Sequence, residues 1–219
     1  MKLEAFDINK RFGKKTILNN INITCNTGDI IGVFGRNGSG KSTLLKILFG
    51  SISANSIDLR IDAKQLISKQ IISKKLISYL PQQSFLPKEK SVREIIPLFF
   101  SNAEDQENIF YNPKIASIVS QKVGTLSLGE LRYLELLLIG NLEHPFLLLD
   151  EPFSMIEPKY IAIISSLLTE LKEKKGIMIT DHYYKNVLKI TTDNFLLKDG
   201  NKIEIKTEED LVMNNYLSE

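Results

Sequence analysis

The chain has 219 residues, 43% of them hydrophobic and 25% charged, as is typical of a globular protein with one substantial core. Lys and Arg number 28 and Asp and Glu 26, so a net charge of +2 gives no strong attraction to nucleic acid or anionic lipid. The single cysteine, Cys25, cannot form an internal disulfide and favours a reducing compartment. The longest apolar run, 95–100, has about six residues, whereas a membrane helix requires ~20. We therefore expect a cytoplasmic protein, without signal peptide or direct membrane insertion, that reaches a membrane only by docking to another protein.

Apolar residues follow two different patterns in the predicted strands. In 3–8 and 17–23 they alternate with polar residues, which indicates antiparallel strands with one solvated face. The run 30–34 is apolar without alternation and favours a strand buried on both faces. Further strands are predicted at 57–61, 76–80, 146–149, 177–180, 194–198 and 202–205, and helices at 42–49, 130–142 and 158–175. This alternation of strands and helices predicts an α/β fold with a mostly parallel sheet and an antiparallel N-terminal edge.

The composition of the sequence changes between the strand at 76–80 and the helix that begins near 130. Four of the seven prolines lie here, at positions 81, 87, 97 and 113, and polar stretches separate short helical pieces. Such a segment is unlike a continuation of the sheet. We predict an inserted α-helical subdomain at 83–127.

A phosphate-binding loop follows the buried strand at 30–34. Residues 35–42 match the pattern G-x-x-x-x-G-K-[ST] between a strand and a helix. The glycines let backbone N–H groups surround a phosphate, the lysine can reach the β and γ phosphates, and the serine hydroxyl can bind Mg²⁺. The candidate nucleotide-binding residues are Gly35, Arg36, Asn37, Gly38, Ser39, Gly40, Lys41, Ser42 and Thr43. The chain is therefore predicted to bind a nucleoside triphosphate.

Two carboxylates end the apolar strand at 146–149. Asp150 can hold the magnesium shell, and the adjacent Glu151 can polarise an attacking water. The plain alternative is an acidic pair on the surface. A strand buried on both faces seldom ends in two carboxylates by accident, so the pair favours hydrolysis of the nucleotide.

Over essentially its whole length the sequence resembles the ATP-binding cassette (ABC) family. Besides the two motifs above, it has an aromatic residue for adenine, a Q-loop glutamine, a signature, a D-loop and a switch histidine in the family's order. The aromatic residue is Phe12, the signature is 126–130 with Ser127 and Gly129, the D-loop is 154–157, and the switch histidine is His182. The Q-loop glutamine is Gln82, with Gln83 beside it, so the register is open by one residue. The segments 129–135, 146–153 and 179–182 look most like the lipopolysaccharide-export and branched-chain amino-acid subgroup.

The resemblance implies an ATPase of the P-loop NTPase (RecA-like) fold, with 1–219 as one domain and ATP and Mg²⁺ as cofactors. The catalytic residues would be Lys41, Glu151 and His182, and the magnesium ligands Ser42, Gln82 and Asp150. Two such domains, as a homodimer or heterodimer, would enclose two ATP molecules, each between one phosphate loop and the other chain's signature. The dimer would power transmembrane permease subunits on separate chains, from the cytoplasmic face of the membrane.

Two positions that would act across the dimer depart from the family's pattern. Leu128 replaces the first glycine of the signature, and Glu157 replaces the D-loop aspartate. A leucine side chain can obstruct the close approach of backbone to phosphate that glycine permits. We therefore expect a competent phosphate loop and a weakened signature, unless Leu128 faces away from the nucleotide.

Apolar residues of the predicted insert allow two interpretations, a groove for a helix of a membrane partner or a small core. The residues are Phe85, Leu86, Leu98, Phe99 and Phe100. We expect core for most of them, with Phe85 and Leu86 the best candidates for a groove. The basic residues near the N-terminus, Lys10, Arg11, Lys14 and Lys15, favour a solvated edge over a nucleic-acid site.

Three functional classes compete. The first is the ATPase subunit of a transporter, and the second is a soluble ABC protein of translation or DNA repair. The second fits poorly, because the chain has one phosphate loop and an insert of only about 40 residues. The third is a nucleotide-dependent switch with weak hydrolysis, which the departures at Leu128 and Glu157 favour.

Overall fold

The computed structural model describes residues 1–217 and contains two β-sheets. The strands are β1 (Lys2–Phe12), β2 (Lys15–Asn26), β3 (Ile30–Phe34), β4 (Ser56–Ile61), β5 (Lys64–Leu66), β6 (Ile77–Leu80), β7 (Phe146–Asp150), β8 (Gly176–Thr180), β9 (Asp193–Lys198) and β10 (Asn201–Ile205). The helices are α1 (Lys41–Phe49), α2 (Ser68–Ser73), α3 (Val92–Phe99), α4 (Ala103–Phe110), α5 (Pro113–Ala116), α6 (Leu128–Gly140), α7 (Pro158–Leu171), α8 (Tyr184–Leu188) and α9 (Glu208–Met213), with a 3₁₀ turn at Val123–Thr125.

The N-terminal sheet is antiparallel, with strand order β2-β1-β4-β5. In β2 the buried side chains are Leu18, Ile21, Ile23 and Cys25, and polar residues between them are exposed. The alternation in the sequence therefore reports one buried face, as predicted. The strand β5 was not predicted, because its three residues, Lys64–Leu66, carry no alternation to recognise.

The central sheet has the order β10-β9-β3-β8-β7-β6, and all its neighbours are parallel except β9 and β10. Every residue of β3, β7 and β8 is buried. Ile30 and Phe34 pack on one side of the sheet, and Ile31 and Val33 on the other, which explains the apolar run without alternation. The predicted mostly parallel sheet with an antiparallel N-terminal sheet is confirmed.

The central sheet separates two hydrophobic cores. One core lies between the sheet, α1 and the N-terminal sheet, and the other lies under the helices α3 to α7. Each fully buried Leu or Ile contributes ~1.5–3 kcal/mol relative to an exposed one. Both cores pack against β3, so the loop that follows β3 is anchored from two sides.

The helical insert between β6 and α6 consists of α3, α4, α5 and the 3₁₀ turn. Ser91 caps α3 in a reciprocal pair with Glu94, which defines where that helix begins. Leu86 and Phe100 are buried, and Phe99 packs half-buried against the same core. The expectation that Leu86 belongs to a groove is wrong, since it is 6% exposed and closes the insert's core. The bounds 83 and 127 stay a prediction.

Two helices have ends that differ from the predicted ones. The helix predicted at 130–142 begins two residues earlier, at Leu128, because Ser127 caps it. The helix that begins at Pro158 ends at Leu171 instead of reaching the lysines beyond it. Of those lysines, Lys175 is buried and donates hydrogen bonds from Nζ to the carbonyls of Leu142 and His144. Among residues 1–217 no helix has the length and apolar character to span a bilayer.

Candidate active site

The phosphate-binding loop occupies the turn between β3 and α1, at the carboxyl end of the central sheet. Gly35, Gly38 and Gly40 have φ of +153°, +78° and +105°, a region that other residues seldom adopt. A Cβ at Gly35 would lie 2.3 Å from Ser39 Oγ, and one at Gly40 would lie 2.8 Å from a methyl of Ile17. Glycine is therefore required at both positions, as the motif predicts.

Lys41 points back into this loop. Its Nζ donates hydrogen bonds to the carbonyls of Gly35, at 2.7 Å, and Arg36, at 3.4 Å. Burial lowers the pKa of the Lys41 amine, and the carboxylates of Glu151, Asp150 and Asp181 oppose that effect. A cation held by two carbonyls of the loop can meet the β and γ phosphates of a nucleotide.

Asp150 is the centre of a hydroxyl cluster at the end of β7. Its Oδ1 accepts from Ser42 Oγ, at 3.0 Å, and from Thr180 Oγ1, at 2.9 Å, and its Oδ2 accepts from Tyr79 Oη, at 2.9 Å. Burial and the Asp150 charge raise the pKa of the Tyr79 hydroxyl, so Tyr79 stays a donor. The contact between Ser42 and Asp150 joins two groups that lie 108 positions apart in the sequence. These oxygens are of the type that Mg²⁺ prefers.

Tyr79 and Thr180 are site residues that sequence reasoning missed. Both lie at or beside the carboxyl end of a parallel strand, in β6 and β8, next to β7 in the sheet. A polar residue in an otherwise apolar strand was the available signal. Its meaning depended on the strand order, which the sequence does not reveal.

Glu151 is held on three sides. Its Oε2 accepts from Gln82 Nε2, at 2.7 Å, and from Ser154 Oγ, at 3.1 Å, while His182 Nε2 lies 3.2 Å from its Oε1. The backbone of Glu151 has a φ of 53°, which is uncommon outside glycine and asparagine, and its N–H donates to the Thr180 carbonyl at 2.8 Å. Strain of this kind concentrates at functional sites. Gln82 rather than Gln83 contacts Glu151, which favours Gln82 as the Q-loop glutamine.

Asp181 is a further buried carboxylate that sequence reasoning missed. It is fully buried, and its two oxygens accept from the backbone N–H groups of Phe153, at 2.7 Å, and Tyr183, at 2.9 Å. Burial raises its pKa to about 6. Asp181 therefore joins the segment after Glu151 to the segment that carries His182.

A cleft of 690 Å³ adjoins the phosphate loop. Arg36, Asn37, Thr16, Ile17 and Tyr216 are among the residues that line it. Phe12, the candidate for adenine, is 51% exposed and stacks under Lys10 Nζ, which lies 4.7 Å from the ring centroid, outside the residues that line this cleft.

The carboxyl end of the central sheet therefore gathers a phosphate loop, two carboxylates, a glutamine and a histidine. The sequence profile of the ABC transporter family matches residues 18–154, more than half of the chain. The chain belongs to the ABC transporter family. It is an ATP-binding subunit of an ABC transporter and a member of the ABC transporter ATPases.

Individual proteins resemble this ATP-binding subunit over most of its length. The lipopolysaccharide export system ATP-binding protein LptB of Acidithiobacillus ferridurans is 25% identical over 221 residues, which cover 96% of this chain and 92% of that protein. The uncharacterized ABC transporter ATP-binding protein MJ1023 of Methanocaldococcus jannaschii is 26% identical over 220 residues, covering 96% of this chain and 79% of that protein. The ADP conformation of MJ1267, an ATP-binding cassette of an ABC transporter, is 25% identical and has a TM-score of 0.82, covering 98% of this chain and 96% of its own.

The signature segment of the subunit lies at the start of α6. Ser127 caps the helix and shares a reciprocal pair with Glu130. Gly129 packs against the Tyr160 ring, where a Cβ would come within 2.2 Å of a ring carbon. Leu128, between them, is 56% exposed. No hydrogen bond among the described residues joins Ser127 or Gly129 to the subunit's own phosphate loop, and their role as ATP contacts stays a prediction.

Proposed function

We propose that this subunit hydrolyses Mg²⁺-ATP with Glu151 as the general base, and that two cassettes enclose the nucleotides to drive separate membrane permease subunits. The observation that carries the proposal is the set of contacts around Glu151 and Asp150, two neighbouring carboxylates with different surroundings. Asp150 accepts hydrogen bonds from three hydroxyl groups, whereas Glu151 is held by Gln82, Ser154 and His182.

The phosphate loop would bind the triphosphate of ATP. The N–H groups of 36–43 and the amine of Lys41 supply positive charge without large rearrangement, because the glycine conformations already open the loop. Ser39 Oγ is buried and lacks a hydrogen-bond partner within the described residues, which fits a group awaiting a phosphate oxygen.

The magnesium site would be formed by Ser42, Asp150 and Gln82. Ser42 Oγ and Asp150 Oδ1 lie 3.0 Å apart, and both are oxygen donors, so the donor chemistry fits Mg²⁺. When bound, Mg²⁺ would draw negative charge from the β and γ phosphates. Asp150 fixes the Ser42 hydroxyl, and Tyr79 and Thr180 fix Asp150.

Glu151 would accept a proton from the attacking water. The amide of Gln82 and the hydroxyl of Ser154 both donate to Oε2, and this orients the carboxylate. His182 lies beside Oε1 and would contact the γ phosphate. Positioning and electrostatic stabilisation supply most of the catalysis in phosphoryl transfer, so a fixed carboxylate suits this role.

Phe12 would stack on adenine, and Ser127 and Gly129 would act on ATP bound by a second cassette, as homodimer or heterodimer. The insert would dock on the permease at the cytoplasmic face of the membrane. Phe85, which is 41% exposed, and the half-buried Phe99, whose ring centroid lies 6.3 Å from that of Phe85, form a surface that we call the insert patch. The exposed apolar side chains of this patch support a protein partner.

A second candidate function is a nucleotide-dependent switch with weak hydrolysis. Leu128 favours it, because its exposed side chain lies where the signature would approach the γ phosphate of the partner's ATP. The ATP turnover of the purified protein distinguishes the two functions.

The substitution Glu151→Gln tests the proposed function most directly. Glutamine keeps the size and the hydrogen bonds but cannot take a proton, so we expect turnover to fall by at least about 100-fold while ATP stays bound. Turnover is measured as phosphate release, and binding with a fluorescent ATP analogue. Glu143→Gln, at an exposed glutamate outside the site, is the control and should retain full activity. Turnover of Glu151→Gln within a few-fold of the wild type would assign the base to another residue.

A further inference from the structure

A buried ion pair on α6 lies behind the two carboxylates of the site. Arg132 Nη1 and Glu135 Oε2 are 3.3 Å apart, and their side chains are only 8% and 1% exposed. Taking two charges out of water costs several kcal/mol per ion unless further hydrogen bonds compensate. The remaining contacts of both side chains therefore indicate what the pair does.

Arg132 binds three backbone carbonyls that belong to two separate segments. Its Nη2 donates to the carbonyls of Asp150, at 2.8 Å, and Glu151, at 3.1 Å, at the end of β7. Its Nη1 donates to the carbonyl of Pro81, at 2.7 Å, the peptide group that joins Pro81 to Gln82. One planar guanidinium thus fixes the backbones of Glu151 and Gln82 relative to each other.

Glu135 extends the connection toward the surface. Its Oε1 accepts from the backbone N–H of Phe85, at 3.2 Å, while Oε2 faces Arg132. Phe85 belongs to the insert patch, so the pair spans from the exposed patch to the backbone of Glu151. The hydrogen bond from Gln82 to Glu151, at 2.7 Å, connects the two segments a second time.

The backbone at Glu151 requires such support. Its left-handed conformation costs free energy and persists only when the surroundings hold it. Arg132 holds it by binding the carbonyl of Asp150, which precedes Glu151, and the carbonyl of Glu151 itself. A lysine in place of Arg132 keeps the charge but supplies a single point of donors, which cannot reach all three carbonyls.

We propose that Arg132 and Glu135 are positioning residues that hold the segment 81–85 and Glu151 in one arrangement, so that Gln82 and Glu151 act as a unit. The inference rests on the proposed role of Glu151. In this arrangement a displacement of Phe85 is transmitted to the catalytic carboxylate through Glu135 and Arg132. Arg132 and Glu135 contact backbone groups and each other, so we assign them a positioning role.

The substitution Arg132→Lys tests this role in the full-length protein. We expect kcat to fall by at least about 10-fold because Glu151 loses its fixed geometry. The Kd of a fluorescent ATP analogue should stay within about 2-fold of the wild type, because the phosphate loop is untouched. Deuterium uptake at the amides of 82–86 should increase, since the segment loses its anchor at Pro81. The double substitution Arg132→Met with Glu135→Leu replaces the pair by apolar side chains and is a second route if Arg132→Lys does not fold.

Combination with Gln82→Ala separates positioning from general stabilisation. If Arg132 acts through the contact of Gln82 with Glu151, the variant with both changes has a kcat no lower than that of the more severe single variant. Tyr133→Phe, the neighbour on α6 that contacts Asn112, and Arg60→Lys, in an exposed ion pair, are matched controls and should keep wild-type kcat.

Three results would overturn the inference. The first is wild-type kcat in a folded Arg132→Lys variant and in the double variant. The second is a parallel loss of ATP binding and kcat in Arg132→Lys. The third is a kcat of the variant with both Arg132→Lys and Gln82→Ala that is reduced by the product of the two single reductions. Full turnover of Glu151→Gln would instead contradict the proposed function, so the two failures are distinguishable.

Discussion

The residues that the sequence predicts to act on ATP fall into two groups with different surroundings. In the inner group, Asp150 and Glu151 are buried, and hydrogen bonds join them to side chains of β6, β8, α1 and the loop at Gln82. The outer group, at the signature and D-loop, includes the exposed residues Leu128, Met155 and Glu157, of which the first two are 56% and 81% accessible. Both departures from the family's pattern, Leu128 and Glu157, lie in the outer group.

We expect this difference to separate substitutions that act within one chain from substitutions whose effect depends on a second chain. In the inner group each side chain already has partners within residues 1–217, so a substitution there acts directly on the site. In the outer group the side chains of Leu128 and Met155 are mostly exposed. Their effects are therefore expected to depend on a partner, either a second cassette or a permease subunit.

Among the exposed positions that we expect to depend on a partner, the largest effect is expected from Phe85→Glu in the insert patch. A carboxylate would have to lose its hydration to enter an apolar partner surface, so recovery of the protein with washed native membranes should fall at least about 10-fold. ATP binding by the purified variant should be unchanged, because the backbone N–H of Phe85, and not its ring, contacts Glu135.

Tyr111→Glu is the matched control, since Tyr111 is an aromatic residue that is 79% exposed on the same insert. We expect it to leave membrane recovery unchanged. Equal losses for both variants, or loss of ATP binding by Phe85→Glu, would show that the insert patch is not a specific docking surface.

A smaller effect is expected from Leu128→Gly in the signature. Removing the side chain at the start of α6 would allow N–H groups to approach the γ phosphate of a second cassette. We expect a severalfold increase in turnover, measured as phosphate release. We also expect stronger ATP-dependent dimerisation, measured by light scattering on variants that carry Glu151→Gln to prevent hydrolysis.

Leu98→Gly provides the comparison, because Leu98 is similarly exposed, at 63%, but lies in α3. Its turnover and dimerisation should match the wild type. If Leu128→Gly also matches the wild type, then Leu128 faces away from the nucleotide and the weakened-signature hypothesis fails.

The smallest effect concerns the pH dependence of stability at Asp181. Burial raises its pKa from 3.8 to about 6, so in this window the folded protein holds a proton that the unfolded chain has released. This group therefore lowers the free energy of unfolding as pH rises through the window. We expect Asp181→Asn to remove this contribution, by about 2 kcal/mol between about pH 4 and about pH 6. Urea unfolding of both proteins across this range measures it, and parallel pH profiles would contradict the assignment.

The local patterns of the sequence predicted most of the strands that form the site. The alternation in β1 and β2, the apolar runs of β3, β7 and β8, and the hairpin of β9 and β10 are all present. Four short elements, β5, α2, α8 and α9, were not predicted. Each has six residues or fewer, too few for a periodic pattern to emerge over the background.

By itself the sequence determined the phosphate loop, because fixed spacing of glycines, lysine and serine is a local property that needs no knowledge of the fold. It also determined that Asp150 and Glu151 end a buried strand. The tertiary structure alone decided which side chains surround them: Tyr79 lies in β6, Thr180 in β8 and Asp181 directly after β8, and these strands are adjacent to β7 only through the order of the sheet. It alone revealed that Arg132 reaches Pro81 and Glu151, since a guanidinium that binds backbone carbonyls leaves no motif in the sequence.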